Sequence, residues 1–321
     1  MSVATSFGII VPITITDAMI GAGTTIAEPD PSDPEGAETA WSGSSVAYVI
    51  GDVRVRATTH KRYTCLVNHT SAASPLPEND PTRWQEGDPT NLYAPFDIYS
   101  TSTKARATGS LTYDLRPGFF TALSLYGLSG TTLEVIVKDT PGGTTIYTYE
   151  ADLFAQAVGF YELLFSPLQA LDKVVLRDIP IAPGAQLLIT VDAGSGVAEV
   201  GTINVGDYQV LIGEGAEWGD TQYGATAEPK TFSYIETNED GTVNIVRRGA
   251  ATDLRAKVFM PAEQASQAVA IVQAVLDVPV SIIASTSDGY DYLNVFGLLS
   301  GTATAEGPSH AVFDLYAKGF I

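Results

Sequence analysis

The run Thr132-Leu-Glu-Val-Ile-Val137, the turn Asp139-Thr-Pro-Gly-Gly143 and the run Thr145-Ile-Tyr-Thr-Tyr149 decide the fold class. β-Branched and aromatic residues alternate with polar ones on both sides of a Pro-Gly-Gly turn, the pattern of an antiparallel hairpin. The pattern recurs outward at Leu111–Leu115, Ala122–Leu128, Lys173–Arg177, Gln186–Val191 and Glu199–Val205, with a further turn at Ile181-Ala-Pro-Gly184. About seven short strands separated by turns predict an antiparallel, jelly-roll-like β-sandwich over residues 91–206.

Beyond residue 207 the rhythm changes. Thr231–Glu236, a turn at Glu239-Asp240-Gly241, Val243–Arg248 and Asp253–Phe259 read as strands. Pro261 to Leu276 is alanine-rich and reads as a helix, with Ala265, Val269, Val272 and Leu276 on one apolar face. Strands resume at Val278–Ala284, Tyr292–Leu299 and His310–Tyr316. Residues 207–321 are expected to form an antiparallel sheet covered by one helix, and to be the assembly domain of a mainly β chain.

Upstream, Phe7-Gly-Ile-Ile-Val-Pro-Ile-Thr-Ile15 is extended, and Glu28-Pro-Asp-Pro-Ser-Asp-Pro-Glu-Gly36 is too rich in proline and charge for a helix or a sheet interior. Residues 1–39 are therefore expected to be a terminal arm, docking on a neighbour, and a stiff linker. Residues 40–90 follow as a compact aromatic unit, expected to project outward with few contacts to the arm.

The composition fits folded domains: 45% of the 321 residues are hydrophobic and 17% charged. The net charge of −20 repels phosphate backbones and anionic lipid, which argues against nucleic acid and membrane insertion. No Lys or Arg precedes Arg54, so the N-terminus lacks the basic region of a signal peptide, and maturation in a cytoplasm is expected. A single cysteine, Cys65, excludes an intrachain disulfide.

Catalytic chemistry finds little to use. His60, His69 and His310 lack metal-ligand spacing, and neither a nucleophile elbow nor a phosphate-cradling glycine loop occurs. Glu214 and Glu217 beside Trp218 are the best-placed carboxylates for glycoside hydrolysis, and Asp288–Asp291 and Glu236–Gly241 could offer oxygen ligands to Ca²⁺ but read as hairpin turns. The chain is expected to be neither an enzyme nor a cofactor or metal carrier.

The order Trp41, Tyr48, Gly51-Asp52-Val53, Tyr63-Thr-Cys65, His69-Thr-Ser71, Trp84 resembles the small chitin-binding-type carbohydrate modules. The resemblance implies glycan contact through Trp84, Tyr48, Trp41 or Tyr63. Trp84 and Tyr48 are the first choices for an exposed ring stacked on a sugar. In so small a unit the same aromatics must also supply the core.

The whole order also resembles tail-tip and baseplate proteins of long-tailed phages. The carrying residues are the start Ile9-Ile-Val-Pro-Ile-Thr-Ile-Thr-Asp-Ala-Met19 and the junction from Arg83-Trp84 through Pro89-Thr-Asn91 to Tyr93-Ala-Pro-Phe-Asp97, with Pro95 where similar proteins carry methionine. The resemblance implies a virion structural protein in the tail tip, made in the host cytoplasm. Its partners would be other tail proteins, further copies in a ring or trimer, and host surface glycans. A free carbohydrate-binding adhesin and a capsid decoration or spike protein are the alternatives.

Overall fold

The computed structural model describes residues 7–97, 103–154, 170–212, 220–237, 242–246, 249–285 and 289–320. Its first strand, β1 (Gly8–Pro12), begins in the apolar run seen in the sequence. Residues 20–25 then follow the edge of a later strand, with Gly21 N–H on Asp114 O at 2.7 Å and Thr25 N–H on Thr112 O at 3.0 Å.

The aromatic unit is small. β3 (Val53–Arg56), β4 (Lys61–Cys65) and β6 (Trp84–Pro89) form one sheet, while β2 (Ala47–Tyr48) pairs with β5 (His69–Thr70). Its core is Tyr48, Tyr63, Cys65 and Trp84, with Trp41 and Val46 packed against it.

The sandwich comprises β7 (Ala105–Leu115), β8 (Ala122–Tyr126), β9 (Thr132–Lys138), β10 (Thr145–Asp152), β11 (Lys173–Leu176), β12 (Gln186–Val200) and β13 (Thr202–Val210). One layer runs β10-β9-β12-β7, and the other contains β11-β8-β13. Leu133, Val135 and Val137 point inward from β9, against Leu111, Tyr113 and Leu115 of β7 and Leu187, Ile189 and Val191 of β12 in a shared core. That is the period-two alternation of the sequence made physical. The Gly194-Ser-Gly196 segment lies inside β12 as a register shift between Asp192 and Val197.

The C-terminal unit adds β14 (Asp220–Thr221), β15 (Thr226–Thr231), β16 (Tyr234–Thr237), β17 (Val243–Val246), β18 (Ala250–Pro261), helix α1 (Ala262–Ala274), β19 (Val280–Ile283), β20 (Asn294–Ala305) and β21 (His310–Gly319). The helix is where the sequence placed it, but its inward face differs. Ala268 and Val272 are buried, as is Val275 just beyond the helix, whereas Val269 and Leu276 are 39% and 45% exposed. Alanine on several faces leaves the apolar stripe ill-defined; of the expected face, Ala265 packs partly and Val272 fully against the core.

The terminal arm is corrected most. β1 is an interior strand of a ten-stranded antiparallel sheet, ordered β11-β8-β13-β1-β19-β20-β21-β18-β14 with β15 also on β18. Ile9 lies opposite Gln209 of β13 on one side and Ile282 of β19 on the other. Phe7, Ile9 and Ile10 are fully buried because elements cover both faces, which explains the unbroken apolar run. At Gly206 a Cβ would lie 1.8 Å from Val11 O, so only glycine permits this approach of β13 to β1. The sandwich and the C-terminal unit thus share one sheet, and β13 runs through the 206/207 boundary expected between them.

The Pro/Asp stretch is corrected as well. Asp30, Asp33 and Glu38 are buried, at 3%, 7% and 7% exposure. They face Arg62 of the aromatic unit and Asn91 at the sandwich entrance, so the supposed linker straps the two units together. The aromatic unit is joined, not suspended.

Candidate functional site

The structure brings three of the expected glycan-binding aromatics together and buries them: Tyr48, Tyr63 and Trp84 are 2%, 1% and 3% exposed. Tyr48 meets Trp84 edge-on at 5.0 Å, and the edge of His69 meets Trp84 at 5.3 Å. The Tyr48 hydroxyl is taken up by Ser42, accepting from its N–H at 2.8 Å and donating to its carbonyl at 3.1 Å, while the Arg54 guanidinium lies over the ring at 5.3 Å. Tyr63 donates to Thr59 Oγ1 at 3.2 Å. None of these rings has a free face for a sugar. Trp41 is half-buried, with the Arg56 guanidinium 5.1 Å above it. The expectation of an exposed stacking ring at Trp84 or Tyr48 therefore fails, because a unit this small needs its large side chains for the core.

What the unit does present is aliphatic. Val49, Ile50, Leu66 and Val67 are 55%, 67%, 40% and 49% exposed. They sit on adjacent turns tied by Gly51 N–H on Cys65 O at 2.9 Å and Ile50 N–H on Asn68 Oδ1 at 2.8 Å. Apolar pairs beside the Gly51-Asp52 turn and Asn68 are the signal in the sequence for this patch.

Asp17, Thr90, Asn91 and Tyr93, from the two segments that carry the phage resemblance, meet other residues in one joint. His60 directs Nε2 at Asp17 Oδ1, 3.1 Å away, and Nδ1 at Glu28 Oε2, 3.0 Å away, while stacking on Tyr93 at 3.6 Å. The Tyr93 hydroxyl donates to Asp17, and Thr90 donates to Glu28 at 2.6 Å. Burial, helped by Asp17, pushes the Tyr93 phenol well up, so it stays protonated as a donor. Beside this cluster, Arg62 binds Asp33 at 2.6 Å and Glu38 at 2.9 Å. Asn91 donates to Asp30 at 2.8 Å and accepts from Arg106 N–H at 2.8 Å. Glu199 takes Lys104 at 2.8 Å and Arg106 at 2.9 Å; burial opposes its ionisation, but these two cations outweigh burial and hold the carboxyl below its usual range. The joint fixes arm, aromatic unit and sandwich in one geometry.

Glu214, Glu217 and Trp218 lie outside the described residues, as do Asp288 and Glu239–Gly241. Among the described residues no group of three or more His, Cys, Asp or Glu could hold a metal ion. Cys65 is buried, 3.2 Å from Val67 O and 3.7 Å from His69 Nδ1.

Against protein-family models and curated proteins, the chain matches none. Among the described residues, no helix is long and apolar enough to cross a membrane.

A second exposed apolar surface lies on the β16–β17 hairpin. Among the described residues its strands pair only with each other, from Tyr234 opposite Val246 to Thr237 opposite Val243. Tyr234, Val243, Ile245 and Val246 are 51%, 53%, 54% and 47% exposed, and Phe232 at its base is 55% exposed.

Proposed function

We propose that the chain is a structural subunit of a phage tail tip or baseplate, joined to further copies and to other tail proteins through its C-terminal unit. The hairpin carries the reading. A lone two-stranded ribbon is marginal in water, and an apolar ribbon with open edges is a template for another chain. The remaining exposure of its five apolar side chains corresponds to about 1 kcal/mol each on burial. That sum only begins to offset the roughly 4–15 kcal/mol lost when two bodies associate. A closed ring or trimer, in which every copy gives and receives a hairpin, meets the cost better than a dimer held by one ribbon. The aliphatic turns of the aromatic unit offer a second contact surface, facing other tail components.

The experiment is antibody labelling of purified virions from a phage that encodes the chain. Label at the distal end of the tail is the expected result. Label over the capsid would replace this reading with the decoration protein, and particles without label would end it.

A further inference from the structure

Helix α1 covers one face of the β18-β21-β20 sheet, and the other face is built differently. Strand register places two rows of hydrogen-bonding side chains across it: Arg255, Tyr316 and Ser300 in one, Lys257, Asp314 and Thr302 in the next. They form the floor of a groove of about 810 Å³, walled by the loop Gln222-Tyr-Gly224. That volume lies within the range of small-ligand sites, about 300–1,000 Å³. The Tyr223 side chain on the wall is 100% exposed.

The floor is held in place. Tyr316 donates its hydroxyl to Asp253, which is 3% exposed and also takes Lys230 and the Gly319 N–H at 3.3 Å. The Arg255 guanidinium rests 5.5 Å from the centre of the Tyr316 ring. Lys257 pairs with Asp314 at 3.1 Å, whereas among the described residues no carboxylate pairs with Arg255. Two cations and one carboxylate leave the floor positive in a chain whose net charge is −20.

We infer that this groove binds an acidic saccharide, with a sugar ring against Tyr223, its hydroxyls on the polar rows and its anionic group on Arg255. A pyranose offers C–H faces that suit an aromatic plane and hydroxyls that suit Ser, Thr, Asp and Gln side chains. A protein partner would be expected to meet an apolar centre depleted of charge, which this floor is not. The inference is independent of the assembly reading, since it uses neither the hairpin nor the aliphatic turns.

The test is calorimetric titration of the full chain with three probes: a hyaluronan tetrasaccharide (carboxylate), a poly(glycerol phosphate) oligomer (phosphate without a sugar ring) and maltotetraose (neutral). The carboxylated sugar should bind at about millimolar strength, and each of the other two at least about tenfold more weakly. Tyr223→Ala and Arg255→Gln alter exposed side chains, and circular dichroism checks that both variants remain folded. Each should weaken hyaluronan binding about tenfold, and Arg255→Gln should leave the maltotetraose affinity unchanged. Absence of a saturable signal from hyaluronan, equal binding of neutral and acidic sugars, or a signal retained in both variants would overturn the inference. So would a Tyr223→Ala variant that sediments at a lower mass than wild type, because the groove would then be covered by another copy.

Discussion

Replacing Arg62 with alanine should cost about 3 kcal/mol of stability at neutral pH. Arg62 donates through Nε to Glu38 at 3.0 Å and through one terminal nitrogen to Glu38 at 2.9 Å and to Asp33 at 2.6 Å. The two carboxylate side chains are 2% and 1% exposed for Asp33 and Glu38, so neither can regain water without opening the strap. Removing one partner of a buried ion pair costs about 3–5 kcal/mol. The lower end applies because Glu38 keeps the N–H groups of Asp30 and Asn91 at 2.8 and 2.9 Å. Neutralising the carboxylates as well, in Asp33→Asn, Glu38→Gln, Arg62→Met, should return most of the loss. The assay is urea unfolding combined with native-state proteolysis, since the strap should become a cleavage site in Arg62→Ala before the sandwich opens. A loss below about 1 kcal/mol with no new cleavage in residues 28–39 would mean that Arg62 behaves as a solvated surface cation and that the strap is not closed.

Two further outcomes follow from the joint and the module. Glu199, held below its usual range, stabilises the fold above the ordinary carboxyl pKa of about 4.3, and this contribution disappears as pH falls through its lowered value; the melting-temperature gap between wild type and Glu199→Gln should therefore be present at pH 7 and shrink at pH 3, and an equal gap at both would refute the assignment. Trp84→Ala should cost about 3–5 kcal/mol through loss of the small aromatic core, read by urea unfolding with protease cleavage in residues 40–90, and a cost near zero would show that the ring is not core.

The local elements were legible in the sequence because their determinants are local. Thr132–Val137 alternates, Asp139–Gly143 turns and Thr145–Tyr149 returns, and the structure pairs Lys138 with Thr145 and Thr132 with Asp152 accordingly. The place of β1 was not legible, because pairing with β13 and β19 joins segments roughly two hundred residues or more apart and leaves only an apolar run as its trace. The strap failed for another reason: proline and carboxylates read as solvated unless the burying partners are known, and Arg62 and Asn91 are distant in sequence. The aromatic order marked a compact unit, but order does not say which ring faces outward. Groove residues such as Arg255, Tyr316 and Ser300 become a set only through strand register.

The proposed assembly has the hairpin as its joining element. The direct measurement is the mass in solution of the full chain and of a Val243→Glu, Ile245→Glu variant, by native mass spectrometry or sedimentation. Both side chains are more than half exposed, so the variant should fold with wild-type circular dichroism and thermal stability. The wild type should appear as a closed oligomer of three or more copies and the variant as a monomer. An oligomer of unchanged mass in the variant, or a wild type that stays monomeric at every concentration and joins no tail component, would contradict the account.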